Sequence, residues 1–276
     1  FTVITCLEGR SERTRILAKR AGIKNIPNLL DMVSISDLIL SIIAPVGSVP
    51  LARQIADINT KLHSDVLYAD CNAISPETSS AIESIITRTG ARYIDASIIG
   101  SPRSRGDSPR FYTSGKYATF MSQIAGPDIT VRHLGHDIGT ASGFKMCYAG
   151  LTKGISALHV AVLAAAHSMN ISDMLLNEFK ESQNSTWKQM NSGISNLPSK
   201  SYRWIKEMEE IASTYSSLGI SPYFHKAAAE IFRLLSQTEF SIENPESINP
   251  NRTTTETIQA LLDIISIQSG QNKGSL

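Results

Sequence analysis

The chain has 276 residues, a formal net charge of +1, 42% hydrophobic residues and 18% charged residues. That length can bury a substantial core in one large or two medium domains, and the composition is globular, not disordered. A charge so close to zero gives no general attraction to nucleic acid or to an anionic membrane, so ligand preference must come from local sites.

Cys6, Cys71 and Cys147 are far apart, odd in number and outside any paired spacing. They predict free thiols in a reducing, cytoplasmic setting, with no structural disulfide and no metal site. No run reaches the roughly 18 consecutive apolar residues of a transmembrane helix, so no membrane is expected. The sequence opens at Phe1 directly in a strand-like run, with no basic-then-apolar leader. Without a secretion signal, the Asn-x-Ser/Thr triplets at Asn170, Asn184 and Asn251 and the Arg105-Gly106-Asp107 triplet read as chance.

Short apolar runs at Thr2–Leu7, Leu38–Ile43, Val66–Asp70 and Arg92–Ser97 predict strands. Helical segments at Glu12–Ala21, Val49–Ile58 and Pro76–Thr89 lie between them. This alternation implies a mostly parallel sheet covered on both faces, an α/β domain over residues 1–140. Phe111–Ser114 and Thr130–His133 add two short strands around a helix near Tyr117–Ile124.

From Ser142 to about Met169 the sequence is free of proline and rich in alanine and leucine, which predicts an unusually long helix. Further helices follow at Ser172–Glu181, Tyr202–Ser216, Pro222–Leu235 and Thr254–Ser266, so residues 141–276 form an all-helical domain. Glu243–Arg252 reads as a loop, and Gly270–Leu276 as a disordered end.

In a parallel sheet, ligands bind beyond the carboxyl ends of the strands, which directs attention to four loops. At Glu8-Gly9-Arg10-Ser11, Glu8 suits a ribose hydroxyl, whereas Arg10 with Ser11 suits a ribose 2′-phosphate and hence NADP. A plain charged turn would also fit those four residues. Ala44-Pro45-Val46-Gly47 makes a rigid turn that a planar ring can approach. Asp70–Thr78 supplies Asn72, then Ser75 and Pro76 as the cap and first residue of a helix. Asp95–Arg105 brings a strand end to Gly100 beside Arg103 and Arg105, which could draw in an anion or simply be a solvated pair.

Glycines 135, 139 and 143 then lead into the long helix, with Lys145 near its start and Lys153 two turns on. The two lysines lie about 80° apart around the axis. A lysine near a helix start is disfavoured by the dipole, and burial lowers its pKa further, which suits an amine that exchanges protons. Two lysines snorkelling from a buried helix are the plain structural alternative.

Taken in order, these motifs resemble the β-hydroxyacid dehydrogenase superfamily, which includes 3-hydroxyisobutyrate and 6-phosphogluconate dehydrogenases. The resemblance extends from Thr2 to about Ser236, and is nearest to a fungal-type branch with a phosphogluconate-dehydrogenase-like helical domain. It implies a Rossmann-like domain binding NADP through Gly9, Arg10, Ser11, Ala44, Pro45, Val46, Asn72 and Ser75. It implies Lys145 as the catalytic lysine, with Asp95, Ser97 and Gly100 at the substrate and Lys153 partly replacing a usual asparagine, here Ala149. The family strand end Asp-Ala-Pro-Val-Ser-Gly reads Asp-Ala-Ser-Ile-Ile-Gly in this chain.

The family's first strand and Gly-x-Gly-x-x-Gly turn have no counterpart, so the resemblance implies a chain shortened at its front and a sheet lacking a central strand. The expected activity is hydride transfer between NADP(H) and a small, anionic hydroxy acid or its carbonyl or imine counterpart, in a homodimer built through the helical domain. A non-catalytic nucleotide-binding or interaction protein retaining the fold is the competing expectation.

Overall fold

The computed structural model describes residues 1–100 and 108–273, so Arg103, Arg105 and the Arg105-Gly106-Asp107 triplet lie outside the described residues. The chain divides into two compact units, Phe1–Lys145 and Met146–Leu276, with the boundary inside the first turns of the long helix.

The first unit alternates strands and helices. Its elements are β1 (Ile4–Cys6), α1 (Glu12–Arg20), β2 (Lys24–Ile26), α2 (Leu29–Ser34), β3 (Leu38–Ser41), α3 (Ser48–Leu62), β4 (Leu67–Asp70), α4 (Pro76–Thr87), β5 (Arg92–Ile99), β6 (Arg110–Ser114) and β7 (Thr130–His133). Helix starts follow the caps written in the sequence. Ser11, Asn28 and Ser75 each accept a hydrogen bond from the backbone N–H three residues on, at α1, α2 and α4. The residues expected to form a helix near Tyr117–Ile124 instead wind as a 3₁₀ segment, Ala118–Ile124.

Strands β3 to β7 pair in sequence order, parallel except for β5 with β6, so the mostly parallel expectation holds. One face buries Ile39, Tyr68 and Tyr93 against Ala52 and Ile55 of α3 and Ile82 and Ile86 of α4. The other buries Leu67, Ala69, Ile94 and Phe111 against Ala118 and Met121. Strands β1 and β2 form a separate parallel pair, with no described hydrogen bonding to the larger sheet. The break falls between β1 and β3, where the resemblance puts one more strand.

The long helix α5 (Thr140–Ser168) leaves the first unit and enters the second. The second unit continues with α6 (Ser172–Ser182), α7 (Asn184–Gly193), α8 (Pro198–Ser217), α9 (Tyr223–Leu235) and α10 (Thr254–Lys273). Its core includes Met208, Ile211, Ala212, Phe232 and Leu235, all buried on facing sides of α8 and α9. Small residues let α5 approach them. A Cβ at Gly150 would lie 3.1 Å from the Tyr215 hydroxyl and 3.2 Å from His225 Nε2.

Three elements escaped the sequence pattern: β2, α2 and α7, the first two short and the third largely polar. The disordered end expected over Gly270–Leu276 is corrected for residues 270–273, since α10 continues through Lys273; residues 274–276 lie outside the described residues. A helix once begun adds one hydrogen bond per residue, so a single glycine need not end it. The membrane reading also needs a correction of detail. By length and composition α5 could cross a membrane, although half of its most apolar window is buried within the protein. A core helix of a globular protein has the same profile.

Candidate functional site

The carboxyl ends of β1, β3, β4 and β5 deliver the four loops singled out from the sequence. After β1, Gly9 takes a left-handed conformation with φ 67°, and Arg10 is exposed. Ser11 is occupied as the cap of α1, its hydroxyl 3.3 Å from the Thr14 amide. After β3, Ala44 precedes a single 3₁₀ turn over Pro45–Gly47, in which Pro45 is buried and Val46 is 62% exposed. An exposed apolar side chain on a rigid turn is a surface onto which a flat ring could be laid.

The amide of Asn72 is already engaged. Its Oδ1 accepts from the Ile43 amide at 2.7 Å, and its Nδ2 donates to Ser41 Oγ at 2.9 Å. Asn72 therefore ties the end of β3 to the end of β4 and sets the path of the Ala44–Val46 turn. Ser75 caps α4 through the Thr78 amide at 3.1 Å. Both residues lie at the expected strand end, and both have structural duties there.

One register level of the sheet is polar across four strands. Ser41 pairs with Asp70, Asp70 with Asp95, and Asp95 with Ser114, and all four are buried. The two carboxyl groups differ sharply in their surroundings. Asp70 Oδ1 accepts from the Asn72 amide at 3.0 Å, but its buried Oδ2 has no hydrogen-bond partner. Burial, with Asp95 adding to it, pushes the Asp70 carboxyl up to about 7. Asp95, by contrast, accepts hydrogen bonds from Ser114, Gly139, Ala141 and Ser142. It is fully buried and faces the start of α5, not solvent. Ser97 is also fully buried, with an unpartnered hydroxyl. Only Gly100 of this predicted substrate strand is exposed, with φ 102°.

Lys145 is half-buried on α5, and its Nζ donates to the Ile98 carbonyl of β5 at 2.6 Å. That bond favours the ammonium form, whereas burial favours the neutral amine. Burial wins and lowers the pKa to about 8. Among the described residues no carboxylate forms an ion pair with Lys145, so nothing restores its charge. Two turns further, Lys153 stands in other company. Its ammonium is ion-paired with Glu207 and lies 5.0 Å from the centroid of the Trp204 ring. The pair is mostly buried, at 14% and 12% side-chain exposure. A lysine whose charge is already compensated is a poor anchor for a substrate anion, and Ala149 between the two lysines is buried and offers no polar group.

Sequence reading missed Ser41, Asp70, Ser114 and Ser142. The available signal was weak: an aspartate closing an otherwise apolar strand at Asp70, and a small-residue helix start around Ser142. Lys145, Gly139 and Gly143 lie at the start of the long helix as the sequence implied, and Gly139 has a visible reason. Gly139 has φ 93°, and a Cβ there would sit 3.0 Å from Pro76 Cβ, at the head of α4.

Residues 166–235 match a family model described as a domain of unknown function, DUF1932. An uncharacterised 28.5 kDa protein from Methanothermus fervidus is 25% identical over 236 residues, covering 85% of this chain and 90% of that one. A solved protein of unknown function, reported as structurally similar to 3-hydroxyacid dehydrogenases, is 29% identical over 85% of this chain and 87% of its own, with a TM-score of 0.57. The chain has the β-hydroxyacid dehydrogenase-like fold. A 3-hydroxyisobutyrate dehydrogenase from Salmonella typhimurium shares that fold at a TM-score of 0.61 over 94% of this chain and 91% of its own, at only 12% identity. The family resemblance read from the motifs is thus supported by the fold, with an α/β unit followed by a helical one.

Proposed function

We propose that this dehydrogenase-like chain is an NADP(H)-dependent oxidoreductase acting on a small, anionic hydroxy acid or on the corresponding carbonyl or imine. The observation that carries the reading is Lys145: a half-buried amine with no counter-ion among the described residues, held at the carboxyl end of β5, with its pKa lowered to about 8. At neutral pH such an amine is charged yet close to its titration point, so it can both deliver and accept a proton. A nicotinamide cofactor, when bound, would supply or take the hydride. The chain's own part is to hold the substrate oxygen or nitrogen within reach of Lys145 Nζ and move the proton there.

The residues present fit part of such a cofactor. The exposed Arg10 turn suits a ribose 2′-phosphate, and the Ala44–Val46 turn suits a flat ring. No Gly-x-Gly-x-x-Gly occurs in the 276 residues to receive a pyrophosphate. Asn72 and Ser75 would serve the cofactor by fixing these loops and the head of α4, through the bonds they already make. Asp95, Ser97 and Gly100 form the strand end beside Lys145, with Gly100 the member open to a ligand. Lys153 would act on substrate only after release from Glu207.

A second copy of the chain has a natural seat. Tyr148, Leu151, Ile155 and Leu158 are exposed on α5 at alternating three- and four-residue steps, the spacing of a helix–helix seam. A Leu151→Glu variant should then shift the native mass from dimer to monomer in light scattering, and a wild-type monomer would remove the dimer from this reading.

Turnover decides the main proposal. NADPH oxidation with a panel of small oxo acids and imines should be measurable for the wild type and lost in Lys145→Ala. An Arg10→Ala variant should bind NADPH about tenfold more weakly while leaving NADH affinity unchanged, as expected from losing a charge-assisted phosphate contact. Equal losses for both cofactors would remove the NADP preference. The competing reading, a non-catalytic protein that keeps the fold, draws support from buried Ala149 and the compensated Lys153. Nucleotide binding without any turnover, unaffected by Lys145→Ala, would establish it.

A further inference from the structure

The start of α5 poses a physical problem. A helix leaves its first N–H groups without intrahelical partners, and a side chain at the preceding residue commonly accepts from them. Here that residue is Gly139, which has no side chain, and Pro76 leaves no room for one. The acceptor comes from far away in sequence. Asp95 Oδ2 takes the amides of Gly139 at 2.9 Å, Ala141 at 3.1 Å and Ser142 at 3.1 Å, along with the Ser114 hydroxyl at 2.9 Å. Asp95 Oδ1 takes the Ser142 hydroxyl at 2.6 Å. A buried strand residue thus caps the long helix, and a negative group at a helix N-terminus is also favoured by the dipole.

Ser142 and Lys145 are three residues apart, so they lie on neighbouring turns of one helix face. Asp95 and Ile98 are three residues apart on β5. The helix therefore meets the same strand at two points: Ser142 and its neighbours on Asp95, and Lys145 Nζ on the Ile98 carbonyl. The second contact is a single bond made by a flexible side chain. The first is four bonds from the helix start to a fully buried carboxylate, which takes a fifth from Ser114 of β6.

We propose that Asp95 is the positioning residue for Lys145: by capping α5 from strand β5 it holds the first turns of that helix on the strand, and so keeps the Lys145 amine on the Ile98 carbonyl. This deepens the catalytic reading of Lys145 and rests on it for its functional meaning, but the geometry can be tested without turnover. It also gives Asp95 a role other than direct contact with substrate. The titratable and charged groups on this face of the described strands are Tyr68 and Asp70 on β4, Tyr93 and Asp95 on β5, Arg110 and Tyr112 on β6, and Arg132 on β7. No described carboxylate is ion-paired with Lys145.

The test is competitive labelling of the full chain with trace acetic anhydride across pH 6–11, reading acetylation of the Lys145 peptide by mass spectrometry. The wild-type amine should half-titrate near 8. In Asp95→Asn the helix start loses its charged acceptor, Lys145 moves into water, and the midpoint should rise by at least one pH unit toward the ordinary lysine value of about 10.4. A role of Asp95 through its charge alone predicts the opposite sign, because removing a nearby negative charge makes the ammonium less stable. A fall in the midpoint, or no change, would overturn the proposal.

Ser142→Ala removes one of the five bonds and leaves the carboxylate, so it should shift the midpoint upward by less. If circular dichroism shows Asp95→Asn unfolded, Ser142→Ala decides the matter, and an unchanged midpoint there overturns the proposal. Because the labelling uses neither substrate nor cofactor, a failure to find NADPH turnover would leave this result standing.

Discussion

Lys145 and Lys153 lie two turns apart on one helix and look alike in the sequence, yet the two ends of that stretch treat them in opposite ways. In the first unit Lys145 is half-buried and, among the described residues, bonds to a carbonyl and to no carboxylate, and its pKa falls to about 8. In the second unit Lys153 is mostly buried, with Glu207 at its ammonium and the Trp204 ring close by. Burial alone does not tune a lysine for proton transfer. Burial without a counter-ion does, because desolvation then acts on the charge unopposed.

The comparison is broken most directly at Lys145. Replacing it with alanine should lower kcat/KM for the best oxo-acid or imine substrate by about 10²- to 10⁴-fold, the usual worth of a positioned general acid–base group. The wild-type profile should bend near pH 8, and that limb should vanish in the variant. Lys153→Ala should leave the bend in place. If both substitutions cost the same in kcat/KM, the distinction between the two lysines would be wrong.

Stability should respond in reverse. Removing Lys153 leaves Glu207 as a mostly buried charge without its partner, which costs about 3 kcal/mol. Replacing both members, as in Lys153→Met with Glu207→Gln, should recover most of that loss. Thermal unfolding of the two single variants and the double variant measures the coupling. A double variant no better than Lys153→Ala would mean that the stem of Lys153 and its packing on Trp204 matter more than the ion pair.

The parts of this picture that were legible in the sequence are those written locally. The long helix follows from its apolar spacing, the start of α4 from Ser75 and Pro76, and the strand ends from glycine and proline. The place of Lys145 near a helix start could be read because a glycine run comes just before it. What could not be read is set by contacts across long stretches of chain. Asp95 bonds Ser142, 47 residues away, and Asn72 bonds Ile43, 29 residues away. No spacing rule connects those positions before the sheet has formed. The pairing of Lys153 with Glu207 is of the same kind, since it needs α8 to be packed against α5. Strand β2 was missed for another reason: at three residues, two of them exposed, it carries no alternation to detect.

The effect that carries the comparison beyond lysines concerns Asp70. Like Lys145 it is withdrawn from water with no counter-ion among the described residues, but the sign of its titration is reversed. Its folded pKa is about 7 against an ordinary 3.8. Between those values the folded state binds the proton more tightly than the unfolded state does. Stability from this group is therefore full below about pH 4, falls as pH rises through the window, and is flat above about pH 7. Asp70→Asn keeps an oxygen for the Asn72 amide and removes the titration. The melting temperature of the variant relative to the wild type should accordingly climb between pH 4 and pH 7 and then level off. A difference that does not change with pH would show that the unpartnered Asp70 oxygen is solvated after all, and that burial without a counter-ion is confined to Lys145.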